Sequence, residues 1–99
     1  MPYAIEYQPD TIEHLEALSA RERAMVFDGV REQLTHQPKL ETRNRKPMRS
    51  NLLAQWELRI GPLPVYYDIE EEPEPKVVIS AVGIKQGNLV RIANKIVKL

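Results

Sequence analysis

Strict alternation of apolar and polar residues marks the middle of the chain and predicts a β-hairpin. The first run reads WELRI and the second VYYDI, with a GPLP turn between them. The apolar positions of the two runs are Trp56, Leu58, Ile60, Val65, Tyr67 and Ile69. Because successive side chains of a strand point to opposite faces of a sheet, these residues should face the core and their neighbours the opposite side.

Patterns before the hairpin predict a strand and two helices. Residues 3–7, YAIEY, alternate and are rich in β-forming residues, which indicates a first strand. Asp10 and Ser19 are each followed three residues later by a glutamate and then by apolar residues at helical spacing, as at helix N-termini. Pro38 should end the second helix. The short connection between the two helices predicts an antiparallel helical hairpin.

The remaining segments predict a loop, a central strand and a C-terminal helix. Residues 38–52 are polar, basic and interrupted by Pro47, as in a loop. Residues 76–82, KVVISAV, form a nearly continuous apolar run that fits a strand covered on both faces. Beyond Asn88 the apolar residues fit a helical face, although the run VRI also fits a strand. We favour a helix from about Asn88.

The predicted order of elements is strand, two helices, three strands and a helix, without internal repeats. Helices and antiparallel strands that occupy separate parts of the chain indicate an α+β fold. With 99 residues, the chain is long enough for one core and too short for two. We therefore expect a single domain over residues 1–99.

The charged residues are segregated along the chain although the formal net charge is zero. Residues 39–49 contain five bases and one acid, residues 68–74 contain acids without bases, and residues 76–99 contain five bases without acids. Such blocks affect partner binding more than folding. The basic segments could bind a polyanion, or the charges could simply keep a small domain soluble.

Several classes of site are excluded by composition and motif. The chain has no cysteine, which excludes disulfides, thiolate nucleophiles and cysteine-bound zinc. Its two histidines lack metal-ligand spacing, and the phosphate-loop and nucleophile-elbow motifs are absent, so we expect neither metal nor cofactor. No signal peptide or membrane-length apolar run is present, and we expect a cytoplasmic protein that does not enter a membrane.

The polar side of the predicted hairpin carries the candidate chemistry. Glu57, Arg59 and Tyr66 share this side. Tyr66 could stack on a nucleobase while Arg59 neutralises a phosphate. Arginine, lysine, tyrosine and acids also suit phosphodiester cleavage without a metal, in which cations stabilise negative charge and a base moves a proton. Alternatively, the three residues form a cross-strand cluster that only covers the sheet.

Taken together, these motifs resemble the RelE/ParE toxin superfamily of bacterial toxin and antitoxin pairs. The resemblance covers almost the whole chain: YAIEY, the helical hairpin, the basic loop with Leu52 and Leu53, WELRIG, VYYDI and VVISAVG. It implies a small curved, mostly antiparallel sheet with the helical hairpin on one side. RelE-like members cleave messenger RNA on the ribosome, ParE-like members poison DNA gyrase, and an antitoxin holds both inactive.

The resemblance also implies roles for residues and partners. We expect a toxin that is a metal-independent endoribonuclease and inhibits translation, binding its cognate antitoxin and ribosome-bound messenger RNA, and existing alone as a monomer or weak dimer. The implied catalytic residues are Arg59, Tyr66, Lys85 and Arg91. The implied RNA-binding residues are Arg45, Lys46 and Arg49.

The sequence departs from the family pattern where catalysis is expected. Gln55 and Glu57 occupy strand positions where lysines are common, and Pro64 replaces an arginine after the turn. The family's C-terminal tyrosine has no counterpart, and Arg91 lies near its place. Loss of one preorganised catalytic group commonly lowers a rate about 100-fold. These departures keep an alternative open, a non-nuclease or degenerate member that binds an antitoxin or another target such as gyrase.

Overall fold

The computed structural model describes residues 2–49 and 53–98, so Leu52 of the resemblance lies outside the described residues. Its elements are β1 (Ala4–Tyr7), α1 (Thr11–Glu16), α2 (Ala20–Leu34), β2 (Arg45–Pro47), β3 (Trp56–Ile60), β4 (Leu63–Glu70), β5 (Lys76–Val82), β6 (Ile84–Gln86), β7 (Leu89–Ile92) and β8 (Lys95–Val97). The predicted α+β class is confirmed, and neither helix of the described residues is long and apolar enough to cross a membrane.

Five strands form the main sheet in the order β1, β5, β4, β3, β2. Only the β1 and β5 pair is parallel, and the other neighbours are antiparallel. The predicted hairpin is confirmed as β3 and β4, in which Glu57 lies opposite Tyr66 and Arg59 opposite Pro64. Leu58 and Val65 are therefore on the other face, in the core between the sheet and the helices.

The two helices cover one face of the main sheet. Ser19 caps α2 as predicted: its Oγ accepts from the Glu22 amide at 3.1 Å, and the Glu22 carboxylate accepts from the Ser19 amide at 2.8 Å. Asp10 makes no side-chain cap on α1. Val26 and Val30 of α2 are fully buried against the sheet. Burial of each such side chain contributes about 1.5–3 kcal/mol.

The prediction of a C-terminal helix is wrong, because β6, β7 and β8 form a second, three-stranded antiparallel sheet. Gly87, with φ 62°, and Ala93, with φ 55°, lie in the tight turns that reverse the chain. Val90 and Ile92 alternate along β7, so both side chains point to the same face of the second sheet, where they are buried. A helix would have directed Ile96 to the core, but this residue is 53% exposed.

Two further features shape the face of the main sheet that is opposite the helices. Within the predicted loop of residues 38–52, the short strand β2 pairs with β3 and extends the sheet by one edge strand. On β5, Ser80 is an extra residue, because Tyr66 pairs with Ala81 and Tyr67 pairs with Ile79. This bulge directs the small side chain of Ala81 to the same side as Tyr66.

Candidate functional site

A pocket of about 560 Å³ lies between β2, the β3 and β4 hairpin, and the second sheet. The charged and phenolic side chains that line it are Lys46, Arg49, Glu57, Arg59, Tyr66 and Lys85. Five of the seven residues predicted to bind or cleave RNA are therefore brought together. Four cations around one carboxylate give the pocket an excess of positive charge, as an anionic ligand requires.

Backbone hydrogen bonds bring Lys85 to the same place as Arg59. The Gly83 amide donates to the Pro64 carbonyl at 3.0 Å, and the Lys85 amide donates to the Pro62 carbonyl at 2.8 Å. A Cβ at position 83 would lie only 2.6 Å from Cγ1 of Val90, so glycine permits this close approach. The second sheet is thereby held against the hairpin turn, next to Arg59.

Glu57 lines the cationic pocket, and it is paired with a residue on each of the two neighbouring strands. Lys46 is its partner on β2 and Tyr66 its partner on β4. Its side chain is 11% exposed, and Lys46 Nζ lies 3.8 Å from its Oε1. Among the lining residues Glu57 is the sole carboxylate. The sequence placed Glu57 on the same side of the hairpin as Arg59 and Tyr66 and marked it as a departure from the family pattern. Spacing alone could not show that Lys46 and Lys85 share a pocket with this carboxylate.

Tyr66 is completely buried and contributes to the lining of the pocket. The ring packs in an apolar cluster with Ala81, Val90 and Ile92, so its faces are unavailable for the predicted stacking on a base. Within residues 2–49 and 53–98, the Oη atom has no hydrogen-bond partner. Burial and then the nearby Glu57 carboxylate raise the pKa of Tyr66 well above its usual value. The hydroxyl therefore stays protonated and can donate a hydrogen bond to a ligand.

Arg45, one of the predicted RNA-binding residues, lies outside the pocket lining and makes structural hydrogen bonds. It pairs with Leu58 and so faces the helices, whereas Lys46 faces the pocket. Its Nη1 donates to the carbonyl oxygens of Gln33 and Gln37, both at 2.8 Å, and the residue is buried. These bonds tie the edge strand to the C-terminal end of α2.

Arg91 is also absent from the pocket lining. It lies on β7, where Val90 faces the pocket and Arg91 faces the opposite side. The β conformation of this segment causes the separation, because neighbouring residues of a strand point in opposite directions. A helix from residue 88 would not have imposed this alternation.

Comparison with known proteins identifies a structural relative. No protein-family model and no curated protein sequence matches the chain. The fold is similar to that of a chain in the crystal structure of the toxin–antitoxin complex RelBE2 from Mycobacterium tuberculosis. The two chains are 27% identical with a TM-score of 0.73, and the match covers 86% of this chain and 93% of the other. The chain is RelE-like.

The similarity of the RelE-like chain to that structure extends over most of both chains. The α+β arrangement of two helices on a mostly antiparallel sheet agrees with the RelE fold. Among residues 2–49 and 53–98, no three histidine, aspartate or glutamate side chains are grouped in a way that could hold a metal ion.

Proposed function

We propose that this RelE-like protein is the toxin of a toxin–antitoxin pair and an endoribonuclease that cleaves messenger RNA on the ribosome. The observation that carries the proposal is the pocket in which Arg59, Lys85 and Lys46 surround one carboxylate. Its similarity to a chain of the RelBE2 toxin–antitoxin complex supports the pairing with an antitoxin. An RNA phosphate is the anion that fits both observations.

In the proposed reaction the RNA supplies its own nucleophile. The 2′-oxygen of one nucleotide attacks the adjacent phosphorus, and the bond from phosphorus to the 5′-oxygen breaks. The departing 5′-oxygen takes a proton from solvent water, which leaves a 2′,3′-cyclic phosphate and a 5′-hydroxyl end. Negative charge develops on the phosphoryl oxygens during the attack. Arg59 and Lys85, which approach the pocket from two different sheets, would stabilise this charge.

Glu57 is the proton acceptor in this proposal. Lysine and arginine side chains carry their protons at neutral pH, and Tyr66 is also protonated because its pKa is raised by burial. Of the lining groups, this leaves the Glu57 carboxylate to take the proton from the 2′-hydroxyl. Lys46, 3.8 Å away, would orient the carboxylate, and the Tyr66 hydroxyl would donate to a phosphate oxygen.

The test is cleavage of a defined messenger RNA on translating ribosomes, with cut sites mapped at nucleotide resolution. We expect Arg59→Ala and Lys85→Ala each to lower the cleavage rate about 100-fold. The matched control is the double variant Arg21→Ala, Lys98→Ala, which removes the same charges outside the pocket lining and should cleave at the wild-type rate. Equal cleavage by the control and the Arg59→Ala, Lys85→Ala double variant would refute the assigned roles.

A second candidate function is favoured by the Lys46 and Glu57 ion pair. This pair places a carboxylate where an RNA phosphate would enter, which suits a protein that binds a target without cleaving RNA. Gyrase is the target to test, by measuring DNA supercoiling with increasing amounts of the protein. Inhibition of supercoiling together with intact ribosome-bound transcripts would favour this candidate over the endoribonuclease.

A further inference from the structure

One face of the second sheet carries an arginine between two isoleucines, of which Ile84 packs against the main core and Ile96 is exposed. Arg91 on β7 pairs directly with Ile84 on β6 and with Ile96 on β8. Directly paired residues of antiparallel strands share a face, so the three side chains lie in one row. Ile96, at the outer end of the row, is 53% exposed. This face, the Arg91 row, is separate from the pocket, which Val90 lines from the other side of β7.

Arg91 carries a buried donor without an acceptor. Its Nε atom is shielded from solvent, and within residues 2–49 and 53–98 it has no hydrogen-bond partner. Burial removes water from an N–H group, so the missing hydrogen bond is costly, and most buried polar groups in native proteins are paired. An acceptor supplied by a bound partner would complete the site.

The surrounding charge indicates which acceptor fits. Residues 76–98 contain five bases and no acid, and Lys95 and Lys98 are exposed close to Ile96 in the chain. A carboxylate matches both the positive field and the guanidinium geometry, in which neighbouring N–H groups can bind two oxygens. The exposed Ile96 favours an apolar side chain beside that carboxylate, which a protein segment offers and a nucleic-acid backbone does not.

We propose that the Arg91 row binds an acidic segment of a partner protein. A carboxylate of that segment accepts from Arg91 Nε, and apolar residues next to it cover Ile96. This assigns Arg91 to protein recognition rather than catalysis. Only the partner's identity as an antitoxin rests on the proposed function; the surface itself does not depend on the pocket or on RNA cleavage.

The test uses short synthetic peptides in which leucine alternates with glutamate, glutamine or lysine. Affinities are measured by titration, and the Arg91 Nε–H signal is followed by NMR spectroscopy in the full chain. We expect the glutamate peptide to bind at least about tenfold more tightly than the glutamine peptide and to shift the Arg91 Nε–H signal. Signals of Lys85 and Tyr66 in the pocket should be unaffected.

Matched variants separate the Arg91 row from general charge attraction. Arg91→Gln should abolish the preference for the glutamate peptide, and Ile96→Ser should weaken binding of that peptide. Arg43→Gln makes the same charge change in the turn before β2 and should retain the preference. Circular dichroism verifies that each variant is folded.

Three results would overturn the proposal. The first is equal affinity for the glutamate and glutamine peptides, and the second is an unchanged preference in folded Arg91→Gln. The third is an RNA oligonucleotide that shifts the Arg91 Nε–H signal when the glutamate peptide does not. The third result would assign the row to nucleic acid. None of the three measurements depends on catalysis, so failure here is distinct from failure of the RNA-cleavage test.

Discussion

Tyr66 and Tyr67 are neighbours in the chain and both fully buried, yet their surroundings differ in one respect. Tyr67 faces the helices, stacks on Trp56 with ring centroids 6.0 Å apart, and donates its hydroxyl to the Pro38 carbonyl at 2.8 Å. Tyr66 faces the pocket, and its hydroxyl has no partner among the described residues. Among the described residues, the Tyr67 hydroxyl is therefore paired and the Tyr66 hydroxyl is not.

The difference between the helix face and the pocket face of the sheet is also present along β3, whose successive side chains point to the two faces in turn. Leu58 is completely buried in the core beneath the helices, and its neighbours Glu57 and Arg59 line the pocket. Stability and proposed function are therefore assigned to alternate residues of the same strand. Substitutions at adjacent positions of β3 should therefore separate the two properties.

The largest expected effect on stability is that of truncating the core side of β3. We expect Leu58→Ala to lower the free energy of unfolding by about 2–5 kcal/mol, because it removes buried contacts and leaves a cavity. Arg59→Ala at the next, exposed position should change it by no more than about 0.5 kcal/mol. Urea unfolding of both variants measures the difference. Equal destabilisation would contradict the division of β3 into two faces.

Glu57→Gln should have the largest effect on the proposed reaction without a comparable effect on the core. The amide keeps the shape of the side chain but cannot accept the proton, so we expect the rate of RNA cleavage to fall about 100-fold or more. Glu41→Gln, at an exposed position outside the pocket lining, is the matched control and should cleave normally. Single-turnover cleavage on ribosomes gives both rates. Undiminished cleavage by Glu57→Gln would remove Glu57 from the reaction.

Phenylalanine substitutions at the two tyrosines provide the most direct comparison of the faces. Tyr67→Phe removes the donor to the Pro38 carbonyl and should cost about 1–3 kcal/mol of unfolding free energy. Tyr66→Phe removes a hydroxyl that has no partner, so we expect the stability to be unchanged or slightly increased. Paired urea titrations measure the order of the two effects. The reverse order would show that the Tyr66 hydroxyl is already satisfied in the free protein.

Alternation in the sequence was sufficient to predict the two faces of the hairpin. The positions of Leu58 and Glu57 follow from the two-residue period of a strand, once one face is known to be apolar. The capping box at Ser19 was also readable, because its hydrogen bonds join residues only three positions apart. Both features depend on local chain geometry, which short patterns record well.

Features that depend on contacts between distant parts of the chain could not be predicted from the sequence patterns. The second sheet covers Tyr66 and brings Lys85 to Arg59, but a helix and a strand were both compatible with the apolar spacing after Asn88. Arg45 and Lys46 are neighbours on β2, so their side chains face opposite sides of the sheet. This difference could not be predicted, because the segment was predicted to be a loop. Charge and composition could not distinguish a buried structural arginine from a pocket lysine.

The smallest predicted effect is a dependence of stability on pH at the helix face. His14 Nδ1 on α1 accepts from the Val82 amide at 3.4 Å, immediately before Gly83 leads into β6. Burial lowers the pKa of His14, and Asp10 and Glu13 partly oppose this shift. The unfolded chain therefore takes up this proton more readily than the folded chain. The contribution of His14 to stability should be complete above its unfolded pKa of about 6.5 and decline as the pH falls through the lower folded value.

His14→Gln tests this dependence, because glutamine can still accept from the Val82 amide but does not titrate. Between pH 7.5 and 5, the urea midpoint of the wild type should fall further than that of the variant. The Val82 amide signal in NMR spectra should shift with the same titration in the wild type alone. Parallel loss of stability in both proteins would mean that carboxylates, not His14, govern the acid side of the stability profile. That result would leave the pocket face unaffected, since His14 contacts β5 from the helices.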